Sequence, residues 1–299
     1  MAVVHWGNPA DTLTCLRSVA ASARPASALI VVDNGTAALR DPDVRAAAPG
    51  AELLTARQNL GFAGGSNVAI RHALAAGAEY VLLLNNDATL EPDCVDELVR
   101  VALASPDVGA VGAKVLSASD PRTLWAAWGR VTWRAALVEL VGQGEADGPQ
   151  FDDTREVDWV SGCAMLLSRA ALESVGLLDE RFFAYHEDVD WCTTARSRGY
   201  RIVYAARARV RHRGSGSLGG RGPANPVRYL TARNTILFAR KHAGLGDWVR
   251  LGVTIAASLP AEWLRRRREG QADVVRLLVR GYVDGLLGRE VPYETLGLR

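Results

Sequence analysis

The sequence lacks the cysteine patterns that mark secreted or zinc-binding proteins. Its four cysteines lie 79, 69 and 29 residues apart, at Cys15, Cys94, Cys163 and Cys192. This spacing fits neither a CxxC zinc site nor a small disulfide framework. The first residues also lack the apolar region of a signal peptide, because a short strand-like run begins at Ala2. We therefore predict reduced thiols and a cytoplasmic location.

Long hydrophobic runs are absent as well. The longest, residues 251–264, contains Pro260 and Glu262 and is too short to span a bilayer. With 299 residues, of which 48% are hydrophobic and 23% charged, the chain has the composition of an ordinary globular protein with a sizeable core. It is expected to be soluble or peripheral to a membrane.

A large net charge is also missing, but the sum of +2 hides a polarity along the chain. Residues 196–299 hold 21 Arg plus Lys against 7 Asp plus Glu, a balance of +14, whereas residues 1–195 balance at −12. A cationic third suits anionic lipid, a phosphate-bearing substrate or nucleic acid, and its sign does not choose among them. Four arginines at 265–268 adjoin the apolar run, so we predict peripheral membrane contact and no nucleic-acid partner, with a solvated basic helix as the alternative.

Apolar strands alternate with helical patterns through the first half of the chain. Strands are predicted at residues 2–5, 28–33, 80–85 and 108–115, and helices at 9–21, 66–76 and 92–104. Such repeated βα units predict an α/β fold with a mostly parallel sheet, flanked by helices, that binds ligands at the carboxyl ends of its strands.

The second half is predicted to begin with an irregular, acceptor-facing excursion at residues 116–158, with Trp125, Trp128 and Trp133 among turn residues. The elements that follow are a strand at 164–167, helices at 169–175 and 187–198, strands over 200–213, a mobile glycine-rich loop at 214–225 and helices over most of 227–287. We place a catalytic domain in residues 1–225 and a basic helical extension in residues 226–299.

Three carboxylates crowd the start of the helix predicted at residue 187. Glu187, Asp188 and Asp190 follow apolar Phe182 and Phe183, so they repel one another and lose hydration. Acidic residues in a first helical turn are also favoured by the helix dipole without any further role. Because other polar clusters stand at strand ends, we favour a proton-accepting site.

Two of those clusters suit a nucleotide. Asp33 ends a buried strand, where its carboxylate can accept hydrogen bonds from a nucleobase or ribose, or simply form a turn. Residues 59–67 (NLGFAGGSN) are predicted to form a glycine-rich turn that opens a helix and brings backbone amides to phosphate oxygens. The segment matches neither GxGxxG nor the Walker A pattern. Asn59, Gly61 and Asn67 are its predicted donor-binding residues.

A third cluster suits a divalent cation. Asn85, Asn86 and Asp87 follow an apolar strand, so Asp87 should project toward a ligand at the strand end. Oxygen ligands of this kind suit Mg²⁺ or Mn²⁺ shared with a diphosphate, whereas a solvent-facing turn is the alternative. His212 can add one imidazole, although a lone histidine is often structural.

In this order, the segments resemble the family 2 glycosyltransferases, particularly the bacterial rhamnosyltransferase-like members with a GT-A fold. The resemblance covers about residues 3–242. Eight segments carry it, most of them weak alone: VVDNG at 31–35, NLGFAGGSN at 59–67, LLLNND at 82–87, SGCAM at 161–165, DERFF at 179–183, EDVD at 187–190, His212 with Ser215 or Ser217, and Arg233 with Asn234.

The resemblance implies an inverting, metal-dependent hexosyltransferase that uses a UDP- or dTDP-sugar, rhamnose among the candidates, and a glycan or lipid-linked acceptor. Mg²⁺ or Mn²⁺ would be its cofactor, and a homodimer is among the assemblies that the sequence allows. The implied roles are a catalytic base at Asp188 supported by Glu187, a nucleobase contact at Asp33, donor binding at Asn86, the last acid of a DxD metal motif at Asp87, and a metal or diphosphate contact at His212.

Three departures from the family pattern are visible. Asn85 replaces the first acid of DxD, which predicts poor metal affinity without nucleotide. Thr194 stands where many relatives have arginine, with Arg196 nearby, and His5 and Trp6 end the first strand in an unusual way.

A sugar-phosphate nucleotidyltransferase is disfavoured because residues 5–12 offer no basic, glycine-rich phosphate loop. A sugar-nucleotide-binding protein without transferase activity stays open, because the metal motif is degraded.

Overall fold

The computed structural model describes residues 1–214, 226–269, 271–294 and 296–298. The predicted loop at 214–225, with Ser215 and Ser217, lies outside these residues except for Gly214. The strands are β1 (Ala2–His5), β2 (Leu29–Asp33), β3 (Ala51–Thr55), β4 (Tyr80–Asn85), β5 (Ala88–Leu90), β6 (Val108–Ser117), β7 (Leu124–Ala126), β8 (Trp128–Val131), β9 (Val138–Val141), β10 (Arg155–Glu156), β11 (Ala164–Ser168) and β12 (Arg201–His212). The helices are α1 (Pro9–Ala20), α2 (Asp41–Ala47), α3 (Gly61–Ala75), α4 (Cys94–Ala102), α5 (Arg169–Val175), α6 (Glu187–Ser197), α7 (Val227–His242), α8 (Leu245–Arg268) and α9 (Ala272–Leu287).

One sheet forms the centre of the fold, in the order β10-β12-β6-β11-β4-β1-β2-β3. The four strands from β4 to β3 are parallel, as are β6 and β12, whereas β11 lies antiparallel between β4 and β6. The prediction of a mostly parallel sheet flanked by helices is therefore confirmed.

The two faces of the sheet carry separate cores. In β2, Ile30 and Val32 pack on one face and Val31 on the other, because successive side chains of a strand point to opposite sides. Helices α3 and α6 cover the first face, and α1 and α4 cover the second. A strand buried on both faces must be apolar throughout, which explains the continuous hydrophobic runs in the sequence.

The glycine-rich segment at 59–67 is helical from Gly61 onward, so the prediction of a turn before a helix at residue 66 was wrong. Its glycines permit close packing. A methyl group at Gly65 would lie 2.7 Å from Cγ1 of Val4, and one at Gly61, where φ is +71°, would lie 2.3 Å from the carbonyl oxygen of Phe183. Helix α3 can therefore lie directly against β1 and the segment that contains Phe183.

Residues 116–158 are more regular than predicted. β7 extends the sheet beside β6, and β8 and β9 form a separate hairpin, while the described part of this region contains no α-helix. Lys114 on β6 is completely buried, with its Nζ 2.7 Å from Asp147 and 2.8 Å from Asp152. This pair of contacts fastens the loop that follows the hairpin to the sheet, since a buried ammonium group needs such partners.

The three C-terminal helices differ in how deeply they pack. Tyr229 and Phe238 of α7 are completely buried, and Phe238 belongs to the main core. Helix α9 lies close to α7, because methyl groups at Gly281 and Gly285 would fall 2.5 Å and 2.6 Å from carbonyl oxygens of α7. Along α8, by contrast, Leu251 is the one fully buried residue. Among the described residues, no helix is both long and apolar enough to cross a bilayer.

Candidate active site

A cavity of about 410 Å³ opens at the carboxyl ends of the parallel strands. Trp6 follows β1, Asn34 follows β2, and Asn86 and Asp87 follow β4, so the strand ends form one wall, where ligands bind in open α/β sheets. The first residues of α3 and α6 and the last residue of β12 add further polar groups. The predicted residues that line the cavity are Asn59, Gly61, Asn86, Asp87, Glu187, Asp188 and His212.

Asp188 lies in the first turn of α6 with its carboxylate in the cavity wall. Its Oδ2 accepts a hydrogen bond of 2.9 Å from the backbone N–H of Gly162, and its Oδ1 accepts one of 2.8 Å from that of Val189. Burial raises the pKa of Asp188 above 3.8, against the opposing effect of these N–H donors. The site thus holds a carboxylate that is oriented by the backbone and has a raised affinity for a proton.

Glu187 is buried beside Asp188 with less support. Its Oε2 has no hydrogen-bond partner among the described residues. Burial, together with the negative charge of Asp188, raises the pKa of Glu187 well above 4.5. The preceding His186 is also buried, and burial lowers its pKa to about 4, so the imidazole is neutral at physiological pH.

The third carboxylate of the cluster points elsewhere. Asp190 contacts Nζ of Lys241 and Nε2 of His242, both at 2.7 Å, and so ties α6 to the end of α7. The crowding expected from the sequence is therefore reduced, because two carboxylates face the cavity and the third is paired behind it.

The segment before α6 has an unusual backbone conformation. Phe183, Tyr185 and His186 have φ values of 62°, 71° and 71°, a region that bulky residues rarely occupy. Such conformations cost about 1–3 kcal/mol each and persist only where the surrounding structure holds them. The backbone that leads into the Glu187–Asp188 pair is therefore strained.

Helix α7 supplies the groups that hold this segment. Nδ2 of Asn234 lies 2.8 Å, 2.9 Å and 2.8 Å from the carbonyl oxygens of Phe182, Ala184 and Tyr185. The neighbouring Arg233 donates to the carbonyl oxygens of Arg181 and Arg289. Both side chains are buried, so these contacts exclude water as a competing partner.

Asp87 and His212 form a second polar group in the cavity lining. Asp87 Oδ1 lies 2.9 Å from His212 Nε2, and both side chains are buried. His212 Nδ1 has no hydrogen-bond partner among the described residues, and the Trp125 ring packs edge-on against the imidazole at 4.6 Å. Burial, together with the negative charges of Glu187 and Asp87, raises the pKa of Tyr185 to about 12. The Tyr185 phenol therefore lies within the electrostatic range of both carboxylates.

This pair fits a divalent cation that has other ligands as well. A carboxylate oxygen and an imidazole nitrogen are acceptable ligands for Mn²⁺, and Mg²⁺ commonly takes one or two carboxylates together with phosphate oxygens. No group of three or more His, Cys, Asp or Glu side chains is placed to hold a metal in the part of the chain that the structure describes. Nδ2 of Asn85 lies 3.4 Å from Nε2 of His212. An acidic residue in place of Asn85 would have supplied the third member of such a group.

A network of amide side chains shapes the wall beside α3. Asn34 donates to Oδ1 of Asn59 and to the carbonyl oxygen of Gly61, each at 3.0 Å, and accepts from the N–H of Leu60. Asn86 donates to the carbonyl oxygen of Trp6 and to the Thr12 hydroxyl. These bonds fix the polar surface of the cavity before any ligand binds.

Two predicted donor-binding residues do not line the cavity. The Asp33 carboxylate accepts hydrogen bonds from Thr36 and from the N–H of Leu39. Burial alone would raise the pKa of Asp33, but these hydrogen bonds outweigh burial and lower the pKa below 3.8. Asn67 is buried. Its amide group donates hydrogen bonds to the carbonyl oxygen of Leu178 and to the Glu180 carboxylate, and its Oδ1 accepts one from the N–H of Leu178. The roles predicted for both residues stay predictions.

Several residues of the site were not predicted from their sequence neighbourhood. Asn34 was treated as part of a turn, and Gly162 was noted only within a motif, although its N–H orients Asp188. The hairpin residues Val138 and Leu140 and the ring of Trp159 make an apolar wall that no local signal announced.

The fold is that of the GT-A glycosyltransferases. The mannosyltransferase PcManGT from Pyrobaculum calidifontis, solved with GDP-Man and Mn²⁺, matches with a TM-score of 0.57 at 17% sequence identity, over 97% of this chain and 87% of that one. S. aureus TarS, residues 1-349, matches with a TM-score of 0.57 at 12% identity, over 99% of this chain and 82% of that one.

The family is shown by sequence. Residues 1–223 match the sequence model described as glycosyltransferase like family 2, and the chain belongs to this family, as predicted. An N-acetylglucosaminyl-diphospho-decaprenol L-rhamnosyltransferase of Mycobacterium tuberculosis is 29% identical over 260 residues, covering 75% of this chain and 78% of the relative. The galactofuranosyltransferase GlfT1 of Mycolicibacterium smegmatis is 28% identical over 187 residues, covering 59% and 58%.

We expect Asn234→Ala to lower the free energy of unfolding by about 3 kcal/mol, because it leaves buried carbonyl groups without a donor. Transfer activity should fall as well, since the strained segment is released. Urea denaturation and a turnover assay test this. Arg228→Ala, on the exposed side of α7, is the matched control and should change stability by less than about 0.5 kcal/mol. Wild-type stability and turnover in Asn234→Ala would show that other contacts hold the segment.

Glu187→Gln should raise the melting temperature at pH 8. The folded state raises the pKa of Glu187 above 4.5, so the native protein binds this proton more tightly than the unfolded chain, and stability falls as pH rises through the raised pKa. Removing the charge should increase the melting temperature by about 2–4 °C for each kcal/mol relieved.

The gain should shrink as pH falls toward 4.5. Scanning calorimetry across this range is the measurement. Glu173→Gln, at an exposed position, should have no such pH-dependent gain, and an equal melting temperature for wild type and Glu187→Gln at every pH would contradict the assignment.

Proposed function

We propose that this family 2 member is an inverting glycosyltransferase that moves a hexose from a UDP- or dTDP-sugar to a hydroxyl group of a glycan or a lipid-linked glycan. One observation carries the proposal: the Asp188 carboxylate and the Asp87–His212 pair face the same cavity at the strand ends. A base for the acceptor and a site for the leaving diphosphate are the two elements that such a reaction needs.

Asp188 has the role of general base. It accepts the proton of the acceptor hydroxyl while the oxygen attacks the anomeric carbon, and the bond to the nucleoside diphosphate breaks on the opposite face of the sugar. The two N–H groups that bond its carboxylate keep the lone pairs oriented. Its raised pKa makes it a better proton acceptor than a solvated aspartate, provided that it stays ionised at neutral pH.

Asp87 and His212 would hold the cation, Mg²⁺ or Mn²⁺, together with the diphosphate of the donor. When bound, the cation neutralises charge on the departing diphosphate. The amide groups of Asn34, Asn59 and Asn86 form the polar wall beside this position and suit the sugar and the nucleotide. With two side chains as cation ligands, we expect the nucleotide to be needed for tight metal binding.

The acceptor side of the cavity is apolar. Val138 and Leu140 of the β8–β9 hairpin and the ring of Trp159 line it. Such a surface suits the faces of a sugar ring or a methyl group better than a charged acceptor. The name of the mycobacterial relative, which specifies L-rhamnosyl transfer to a diphospho-decaprenol-linked sugar, supports a deoxyhexose donor and a lipid-linked acceptor.

Asp188→Asn should lower transfer by about 10²- to 10⁴-fold, because the amide cannot accept the hydroxyl proton. Nucleotide binding should survive, since Asp87 and His212, and not Asp188, are the proposed ligands of the cation and diphosphate. Product formation from radiolabelled dTDP-rhamnose or UDP-hexoses and nucleotide calorimetry are the two measurements. Asp153→Asn, at an 82% exposed side chain, is the control. Normal transfer by Asp188→Asn would remove this residue from the role.

Asp87→Asn should abolish the metal dependence of nucleotide binding. In wild type, UDP or dTDP with Mn²⁺ should raise the melting temperature more than nucleotide or Mn²⁺ alone, because a ligand that binds the folded state stabilises it. The variant should lose this synergy, whereas Asp96→Asn, at a 42% exposed side chain of α4, should keep it. Synergy without any transfer to a panel of acceptors would favour a sugar-nucleotide-binding protein instead.

A further inference from the structure

Helix α8 presents an apolar stripe that no other described part of the chain covers. Leu245, Val249 and Val253 recur every four residues and are 83%, 59% and 63% exposed, and Leu264, three turns further on, is 47% exposed. The side that faces the protein carries Leu251 instead. The exposed stripe is therefore the outward face of an amphipathic helix, and contiguous patches of this kind mark interaction sites.

The charges around this stripe have one sign. Residues 251–261 contain no charged residue, and Arg250 precedes them. Arg267 and Arg268, which follow on the same side of the helix, form no ion pair with any described residue, and neither does Arg250. Arg265 and Arg266, in contrast, are paired with Glu262. The unpaired arginines thus border the apolar stripe, whereas the paired ones lie away from it.

Helix α9 continues this surface. Val279, Val283, Leu286 and Leu287 are 42%, 42%, 57% and 60% exposed. A groove of about 500 Å³ between α8 and α9 is lined by Trp263 together with Val279 and Val283. The guanidinium group of Arg267 lies over the Trp263 ring at 5.0 Å. An aromatic ring next to a cation at the edge of an apolar surface is typical of a helix that lies in a lipid interface.

We propose that the outward faces of α8 and α9 form a membrane-docking surface for an anionic bilayer. The apolar stripe enters the interfacial region of the lipid, while Arg250, Arg267 and Arg268 contact lipid phosphates. A second copy of the chain is a poorer occupant, because a two-fold interface would bring three uncompensated positive charges from each subunit into one apolar contact. Anionic lipid supplies both the apolar layer and the opposite charge.

Helix α8 connects the docking surface to the hairpin that lines the cavity. Trp133, in the turn of the β8–β9 hairpin, packs against the cluster that contains Leu251 of α8, and Val138 and Leu140 of the same hairpin line the cavity. The hairpin thus lies on the inner side of α8, and a bilayer docked on the outer side would be one helix diameter (~10 Å) away, on the side from which a lipid-linked acceptor would come. This last step rests on the proposed function, but membrane binding itself does not.

Vesicle flotation with the full chain tests the surface. Wild type should float with vesicles of phosphatidylcholine and phosphatidylglycerol and remain unbound with phosphatidylcholine alone. Val253→Asp should reduce the bound fraction about tenfold or more, because it removes an inserted side chain and adds a negative charge. Leu103→Asp, at a residue that is 67% exposed at the end of α4, is the matched control and should float like wild type.

The arginines are tested separately. Arg267→Gln combined with Arg268→Gln should weaken flotation about tenfold or more, whereas Arg265→Gln should have a smaller effect. Unchanged melting temperatures will show that the variants are folded.

Three outcomes would overturn the proposal: no flotation of wild type, equal flotation of Val253→Asp and Leu103→Asp, or a wild-type dimer in light scattering that Val253→Asp converts to monomer. Because flotation requires no transfer, failure of the proposed activity would leave this test unaffected.

Discussion

The site depends on how the chain between the 3₁₀ turn at Glu180–Phe182 and α6 is held. Three of the four residues at 183–186 have positive φ values that non-glycine residues rarely adopt, and this segment directly precedes the two carboxylates of the cavity. The buried amide of Asn234 contacts three carbonyl oxygens of this segment. Without these contacts the backbone would relax, and the first turn of α6 would turn its acids away from the strand ends.

The same constraint explains why the carboxylates are buried. Among the described residues no cationic side chain pairs with Glu187 or Asp188, so burying these two carboxylates is electrostatically unfavourable. Asp190, one turn away, shows the contrasting solution, since Lys241 and His242 neutralise it. Adjacent acids in one sequence motif therefore have different environments: Asp190 anchors α6, whereas Glu187 and Asp188 face the cavity at a cost in stability.

Much of this arrangement was predictable from sequence, and the reasons are local. β4 is an apolar run that ends in polar residues, so the position of Asp87 at a strand end followed from the pattern. A proton-accepting site at Asp188 was predicted from a different local signal, the acidic start of a helix that follows an aromatic segment. The family pattern, spread over most of the chain, then placed both residues in one site.

What could not be predicted depends on distant partners. Asn67 was expected to face a ligand, but its amide bonds Leu178, 111 positions away. Gly65 was placed in a turn, because nothing in its own neighbourhood indicates that Val4 would pack against it. Strands β7 to β9 were missed for a similar reason, since they pair across turns in a segment rich in glycine and tryptophan. Local patterns predict elements well, whereas the direction of a polar side chain is decided by residues far along the chain.

One further contact affects the order in which the molecule can assemble. The Asn59 side chain donates to the carbonyl oxygen of Leu298, 239 positions later, and the Phe183 ring packs against Tyr293 at 5.1 Å. Asn59 and Phe183, which line the cavity, are thus held by residues far along the chain. A nascent chain can form the central sheet early, but the cavity at the strand ends acquires its final shape only after synthesis has passed these positions.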